Sequence, residues 1–200
     1  MGTVYSAASV SLDGFISGPG ETGFDHLFRW YTSGENEVRT THPELTFQLT
    51  ETSSAYLRSL TGATGALVVG RRLFDLTDGW GGSHPLDRPV VVVTHAAPDG
   101  WPREDAPFTF VTDGVAEAVR QAKVIAGEQN VAVNGGTIVS QCLNAGLVDD
   151  LYLDLVPVLL GGGVPFFAQL ADAPISLDGP DVVEDTAVTH LHYRVRRAGS

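Results

Sequence analysis

A turn with two consecutive glycines, Gly135 and Gly136, follows a short apolar run at 131–133 and precedes a segment whose apolar residues recur at helical spacing. Glycine permits positive φ and carries no Cβ, so the backbone can lie against a ligand while the first amides of the next helix lack intrahelical partners. Such amides, together with the helix dipole, attract anions. A strand-to-helix turn also favours glycine for structural reasons alone, so this candidate phosphate site needs support from the rest of the chain.

Two adjacent arginines, Arg71 and Arg72, provide a local concentration of positive charge directly after a second apolar run at 66–69 and Gly70. The chain as a whole has a net charge of -12, which repels nucleic acid, anionic membranes and any anionic cofactor at long range. We therefore expect neither nucleic acid nor a membrane as a partner, and a phosphate site must concentrate its cations locally. Guanidinium groups suit that role because their planar fork makes paired, charge-assisted hydrogen bonds.

Two carboxylates, Asp13 and Asp25, are the candidates for handling protons. Asp13 follows an opening strand predicted at 4–11, and ligands of open α/β sheets bind beyond the carboxyl ends of the strands. Asp25 lies in the segment 24–31, for which we predict one or two helical turns whose aromatic side chains cover either a ligand or the core. An aspartate before a glycine is also a common turn residue.

The histidines near the C-terminus are an alternative focus for chemistry. His190 and His192 are two residues apart on a predicted strand and therefore share a face, an arrangement that could bind a metal. Arg194 and Arg196 share the same face, and their charge opposes a dication. The pattern thus predicts a solvated polar face and no metal site. Cys142 lies among apolar neighbours and is expected to be a small core residue.

Alternating strand and helix patterns predict an α/β fold with a mostly parallel central sheet, helices on both faces and a C-terminal antiparallel hairpin. Strands are predicted at 4–11, 66–69, 90–93, 108–111, 131–133 and 151–156, helices at 44–60, 71–79, 113–126 and 137–144, and the hairpin at 182–184 and 188–195. A polar, irregular stretch at 32–43 is interpreted as a lid or an oligomer contact.

Composition limits the class of protein. With 200 residues, of which 43% are hydrophobic, the chain can form one domain spanning 1–200 with a sizeable core. The mean hydropathy of +0.06 argues against disorder. No apolar run is long enough for a membrane span and no secretory leader is evident, so we expect a cytoplasmic protein.

Several short motifs occur in an order that resembles the dihydrofolate reductase superfamily, and in particular its riboflavin-biosynthesis reductase branch. The matching motifs are Ser11-Leu12-Asp13-Gly14, Val69-Gly70-Arg71-Arg72, Val92-Val93-Thr94-His95, Asn134-Gly135-Gly136-Thr137, and Gly146-Leu147-Val148-Asp149-Asp150 followed by Pro157-Val158-Leu159-Leu160-Gly161. The likeness extends from about Val4 to Arg196. It implies a dihydrofolate reductase-like three-layer fold and an NADPH-binding reductase.

The resemblance also assigns roles to residues. It implies that Arg71, helped by Gly70, Arg72, Thr94 and His95, binds the 2'-phosphate of NADPH. It further implies that Gly135, Gly136, Thr137 and Ile138 bind the pyrophosphate, and that Asp13 or Asp25 orients the substrate or supplies a proton. The family's habit implies a homodimer.

The substrate side departs from both groups of relatives. The tryptophan-and-proline segment of dihydrofolate reductases is not reproduced at 24–31, and Ala7 and Phe15 stand where riboflavin-pathway reductases usually carry cations for a sugar phosphate. We therefore expect hydride transfer to an imine, carbonyl or conjugated double bond of another small molecule. The alternative is a nucleotide-binding protein of the same fold without turnover. A flavin or deazaflavin in the same crevice is a variant of the reductase.

Overall fold

In the computed structural model, residues 2–171 and 173–196 are described, and they form strands and helices in alternation. The strands are β1 Val4–Ser11, β2 Phe15–Ser17, β3 Asn36–Val38, β4 Phe47–Leu49, β5 Thr64–Gly70, β6 Val90–Val93, β7 Phe108–Val111, β8 Asn130–Val133, β9 Asp150–Val156, β10 Val164–Pro165, β11 Leu177–Asp185 and β12 Val188–Val195. The helices are α1 Phe24–Leu27, α2 Glu51–Gly62, α3 Arg71–Leu76, α4 Gly114–Ala126 and α5 Thr137–Asn144, with 3-10 helices at Arg29–Thr32 and Asp78–Gly82.

One sheet of eight strands forms the centre of the fold, in the order β11-β12-β9-β1-β8-β5-β6-β7. The strands from β9 to β7 are mutually parallel, whereas β12 runs antiparallel to β9 and pairs with β11 as a hairpin. This confirms the predicted fold class. The strands β8 and β9 are parallel, and β1 lies between them.

Helices cover both faces of this sheet. On one face, α4 and α5 bury a stripe that includes Ala118, Val119 and Val139 against Val68 and Val91. On the other face, α3 packs on β5 and β6, and α2 with the 3-10 helix Arg29–Thr32 packs near β9 and β12. The β-branched run of β6 is buried from both sides, as expected for a central parallel strand.

The segment between residues 32 and 62 differs from its prediction. The stretch interpreted as a lid contains β3, which pairs with β4 in a small antiparallel sheet. The predicted helix at 44–60 begins only at Glu51, because Thr50 is extended and its side chain accepts a hydrogen bond from the Ser53 amide at 3.1 Å. A threonine at that position is a helix N-cap and separates strand from helix.

Within the described part of the chain, no helix has the length and apolar character needed to cross a bilayer.

Candidate functional site

A cavity of about 910 Å³ lies at the carboxyl ends of the parallel strands. Gly70, Thr94, Thr112 and Asn134 line it, and each ends or directly follows one of the strands β5, β6, β7 and β8. The residues predicted to bind a cofactor all line this one cavity, namely Gly70, Arg71, Arg72, Thr94, His95, Gly135, Gly136, Thr137 and Ile138. Its position agrees with the general rule for ligands of open α/β sheets.

The glycine turn before α5 is shaped by both of its glycines. Gly136 has φ of 73° and ψ of -130°, a conformation that other residues rarely adopt, and its amide donates to the Phe166 carbonyl at 2.8 Å. A Cβ on Gly135 would lie 3.2 Å from Cδ1 of Ile16. The turn is therefore held against neighbouring chain segments, and the first turn of α5 lines the cavity.

Gly70 brings two strand-to-helix units close together. A Cβ at this position would lie 3.1 Å from Cγ1 of Ile138 on α5. Because glycine has no Cβ, α5 can pack close to the end of β5. The arginines that begin α3 and the glycine turn before α5 therefore line the same cavity.

Arg71 is anchored by its own helix and by the end of β6. Its Nε donates to Asp75 at 2.7 Å and its Nη1 donates to the Ala96 carbonyl at 2.9 Å, while Thr94 also donates to that carbonyl at 2.8 Å. The side chain is 37% exposed. A guanidinium has five N–H donors, so donors remain for a ligand in the cavity.

Arg72 has a different environment. Its Nε lies 2.7 Å from the Glu21 carboxylate, and its side chain is 74% exposed. Glu21 also lines the cavity, and the loop between β2 and α1 carries it. The Arg71 guanidinium is therefore held in place by its neighbours, whereas a ligand that binds Arg72 would have to displace the Glu21 carboxylate.

An aromatic wall closes another part of the cavity. Phe24, Phe28 and Tyr31 form a stack with ring centroids 5.7 and 5.2 Å apart and interplanar angles of 9° and 14°. Leu27 and Trp30, from the same segment, are fully buried in the protein. The sequence left open whether these aromatics cover a ligand or the core. In the structure Phe24, Phe28 and Tyr31 line the cavity, and Trp30 lies in the core.

The carboxylates predicted to be catalytic do not line this cavity. Asp13 accepts hydrogen bonds from the Ser11 hydroxyl at 2.6 Å, the Leu160 amide at 3.1 Å and the Gly161 amide at 2.7 Å. The Ser11 hydroxyl, more than the two amides, lowers the pKa of Asp13. Asp25 is exposed on α1 beside His26. Their catalytic roles stay predictions, and the contacts of Asp13 favour a role in holding the loop at 160–161.

The prediction of a solvated polar face is wrong at His190, although Arg194 and Arg196 on the same face are exposed. His190 is 1% exposed, with its Nδ1 2.7 Å from Asp154 and its Nε2 3.0 Å from the Ser53 hydroxyl. His192 stacks on Tyr152 and lies 2.8 Å from Asp150. α2 and the 3-10 helix Arg29–Thr32 pack over the His190 end of this face, whereas the side chains of Arg194 and Arg196 are 70% and 58% exposed.

Sequence reasoning missed other residues that line the cavity. Ser9, Glu21 and Asn134 all contribute to its wall. Asn134 could have been identified because it directly precedes the glycine pair. Residues 24, 28 and 31 have the spacing of one helical face, which could have placed their aromatic side chains on the same wall. Ser9 and Glu21 carry no comparable local signal.

Solved structures share this fold along nearly the whole chain. A proposed riboflavin biosynthesis protein from Shewanella sp. PV-4 is 23% identical, with a TM-score of 0.67 over 98% of this chain and 99% of that one. Dihydrofolate reductase from Enterococcus faecalis, complexed with NADP(H), is 16% identical, with a TM-score of 0.58 over 98% and 97% of the two chains. A deaminase and 5-amino-6-(5-phosphoribosylamino)uracil reductase from Thermotoga maritima is 14% identical, with a TM-score of 0.62 over 98% of this chain and 57% of that one. At these identities the likeness establishes the fold.

Sequence comparison defines the family. The uncharacterized protein YyaP of Bacillus subtilis (strain 168) is 34% identical over 61 residues, a match that spans 30% of this chain and 32% of that protein. Residues 2–179 match the RibD C-terminal domain. The chain belongs to the RibD C-terminal domain family.

Proposed function

We propose that the protein is an NADPH-dependent reductase that transfers a hydride to an imine, carbonyl or conjugated double bond of a small molecule. The observation that carries this proposal is that the arginine pair and the glycine turn of α5 line the same cavity. Membership of the RibD C-terminal domain family supports it, as does the shared fold with a reductase that was solved with NADP(H).

The residues present fit this cofactor. Arg71 and Arg72, with Thr94 and His95, would hold the 2'-phosphate, and the first turn of α5 at Gly136, Thr137 and Ile138 would hold the pyrophosphate. The Gly136 conformation is strained for any residue with a side chain, and glycine leaves the turn uncovered on the cavity side; the Gly136 amide itself already donates to the Phe166 carbonyl. A cavity of about 910 Å³ lies within the range that cofactors and their substrates occupy. When bound, reduced nicotinamide would supply the hydride.

The aromatic wall indicates the type of substrate. Phe24, Phe28 and Tyr31 line the cavity with apolar ring surface and carry only one polar group, the Tyr31 hydroxyl, which suits an uncharged, largely apolar molecule. Ala7, which stands where related reductases usually carry a cation, lines the cavity without adding charge. These features support a substrate that has no sugar phosphate.

A second candidate function is a nucleotide- or flavin-binding protein without turnover. The observation in its favour is that neither Asp13 nor Asp25 lines the cavity, so the expected carboxylate proton donors are absent from its wall. The arginine pair that lines the cavity argues against a flavin, because a flavin has no 2'-phosphate for it to bind.

We extend the proposal to the assembly and its surroundings. We propose a homodimer, because members of the family usually form one. We propose a single domain over 1–200, because one continuous sheet runs through the chain. The sequence is the basis for proposing a cytoplasmic location. Light scattering of the purified protein tests the dimer.

Calorimetric titration with NADPH and NADH tests the function. We expect NADPH to bind more tightly than NADH, and Arg71→Ala to remove about tenfold or more of that preference, because charge-assisted hydrogen bonds to the phosphate are lost. Arg120→Ala is the matched control, since the Arg120 guanidinium donates to Glu117 within α4 and does not line the cavity; Gln121 also donates to Glu117, so that carboxylate keeps a partner in the variant. If neither nucleotide binds, the reductase proposal is wrong, and a flavin carried through purification becomes the ligand to seek.

A further inference from the structure

A second cavity, an open groove of about 610 Å³, lies at the other end of the central sheet from the candidate cofactor cavity. Arg88 on its wall lies just before β6, and its Nε donates to the carbonyl of Thr64, the first residue of β5, at 2.6 Å. The groove is therefore at the amino ends of parallel strands whose carboxyl ends form the candidate cofactor cavity. No described residue lines both cavities.

Three segments of the chain build this groove, which we call the arginine groove. Val38 at the end of β3 and Arg39 directly after it form one side, and Arg58 on α2 forms another. Leu86 and Arg88, from the loop before β6, form the third. The three arginines thus come from parts of the chain that are distant in sequence and are brought together by the fold.

The charge of the arginine groove is opposite to that of the chain. Three arginines line it, and Glu37 is the one acidic residue among its described lining residues. The whole chain, in contrast, has 12 basic and 24 acidic side chains. A quarter of the basic residues therefore lie around one groove that has little negative charge of its own.

Two of these arginines form hydrogen bonds with neutral groups. Arg58 Nη2 donates to the Glu37 carbonyl at 3.0 Å, and Arg88 donates from Nε to Thr64 and from Nη1 to the Asp87 carbonyl at 3.1 Å. Within residues 2–171 and 173–196, neither guanidinium forms an ion pair with a carboxylate. Their positive charge is therefore not neutralised by a neighbouring side chain.

The same backbone contacts hold the guanidinium groups in place and leave donors unused. A guanidinium has five N–H donors; Arg58 uses one of them and Arg88 uses two, so four and three remain. Arg39 differs because it pairs with Glu37, and these two side chains are 80% and 42% exposed. Exposed ion pairs are weak, so an anionic ligand can replace Glu37 as the partner of Arg39.

The wall of the groove indicates which anion fits. Planar guanidinium groups make paired, charge-assisted hydrogen bonds to phosphate oxygens. Val38, Pro85 and Leu86 add apolar surface, which suits the organic part of a ligand. The volume is that of a small-molecule site. A long polyanion is disfavoured, because the net charge of -12 repels nucleic acid and anionic membranes.

We propose that the arginine groove binds a small phosphorylated molecule, at a site separate from the candidate cofactor cavity. Arg58 and Arg88 bind its phosphate group, and Arg39 joins them when the ligand replaces Glu37. The organic part of the ligand packs on the apolar surface around Leu86. The site does not depend on the proposed reductase function, because its residues do not line the candidate cofactor cavity.

NMR titration at low salt, in buffer without phosphate, tests the site with two probes, phenyl phosphate and inorganic phosphate. The Nε–Hε signals of Arg58 and Arg88 and the backbone amides of residues 37–41 report on the groove. We expect phenyl phosphate to shift these signals and to bind more tightly than inorganic phosphate, because its ring contacts the apolar surface. Equal affinity for the two probes overturns the organic ligand, and unshifted signals overturn the site.

Variants test which residues bind the probe. Arg58→Gln removes a cation whose one described hydrogen bond is exposed, so the variant should fold normally and bind phenyl phosphate about tenfold more weakly. Arg88→Lys keeps the charge but loses the planar fork and should also weaken binding, with the melting temperature as the check on its contact with Thr64. Arg103→Gln is the matched control, because Arg103 is exposed and lies over Trp101, outside the groove. An equal loss in Arg103→Gln would mean that the probe responds only to net charge, and it overturns the site.

A third variant separates this site from the candidate cofactor cavity. Phenyl phosphate has another possible partner in Arg71, so the titration is repeated on Arg71→Ala, in which the groove signals should still shift. If the shifts disappear, the probe binds in the candidate cofactor cavity and the groove site is overturned. If NADPH does not bind the unmodified protein but phenyl phosphate shifts the groove signals, the reductase function fails and the groove site stands.

Discussion

The Glu21 carboxylate lies 2.7 Å from Nε of Arg72 and joins the loop after β2 to the first turn of α3 beside the cavity. Glu21 has φ of 60°, a conformation uncommon for residues other than glycine. Its side chain is 27% exposed, so the contact is partly shielded from water. A phosphate that uses Arg72 must therefore first displace this carboxylate.

Glu21→Gln should strengthen NADPH binding. Removing the competing charge frees Arg72, and partly exposed ion pairs are worth up to about 1 kcal/mol, which corresponds to a gain of up to about fivefold in affinity. Calorimetry at low and high salt measures it, and the gain should shrink as salt screens the pair. Glu184→Gln on the edge strand β11 makes the same charge change away from the cavity and should have little effect. Weaker binding in Glu21→Gln would mean that Glu21 supports the site.

The strand-turn-helix units were predictable because their signals are local. Gly135 and Gly136 follow an apolar run and precede a helical pattern, and Arg71 follows the next such run. In a parallel sheet the carboxyl ends of neighbouring strands lie at one edge. Once the fold class was predicted, it followed that these turns lie in one crevice.

The buried histidine and the contacts of Asp13 were not predictable in the same way. His190 is covered by Ser53, which lies 137 residues away in the chain, and Asp13 binds amides 147 and 148 residues away. An alternating strand of histidines and arginines has the pattern of a solvated face, and only the position of α2 over the His190 end of β12 reverses that interpretation there. These contacts depend on tertiary packing, and the spacing of residues along one segment of the sequence does not predict them.

Asp13→Asn distinguishes a loop-holding role from a catalytic one. The Asp13 carboxylate accepts from the Leu160 and Gly161 amides, and an amide side chain can replace only one of those acceptors. We expect hydrogen exchange at these two amides to accelerate by about tenfold while NADPH affinity is retained. Asp25→Asn is the control, because Asp25 is exposed and should affect neither. Loss of turnover in Asp13→Asn with unchanged exchange would restore the catalytic interpretation.

Gly136→Ala should disrupt the phosphate-binding turn. The residue has φ of 73° and ψ of -130°, so alanine would cost about 1–3 kcal/mol in strain and shift the first turn of α5. We expect a lower melting temperature and NADPH binding weakened by about tenfold or more. Gly146→Ala provides the comparison, since Gly146 has φ of 65° with open space around it at the other end of α5. It should lower stability and leave binding intact; equal losses of binding would contradict a specific role for the turn.

His84 makes the stability of the fold sensitive to acid. Its Nδ1 accepts a hydrogen bond from the Leu86 amide at 3.1 Å, and its ring packs edge-on against Trp80 at 4.6 Å. Burial, helped by neighbouring His42, lowers the pKa of His84 from 6.5 to about 4. The native state therefore binds fewer protons than the unfolded state between these values. Stability is fully present above about pH 6.5 and decreases as the pH falls toward 4.

His84→Asn should remove this sensitivity. With the pKa of His84 lowered to about 4, the unmodified protein is expected to lose about 2 kcal/mol of unfolding free energy from this group between about pH 7 and pH 5. Asparagine keeps an acceptor near the Leu86 amide but does not titrate, so the variant should lose less over the same interval. Urea unfolding at the two pH values measures the difference. His26→Asn is the control because the His26 side chain is 61% exposed, and it should leave the pH dependence unchanged. If the unfolding free energy of His84→Asn falls between the two pH values by as much as that of the unmodified protein, His84 is protonated in the folded state or its burial has no energetic consequence.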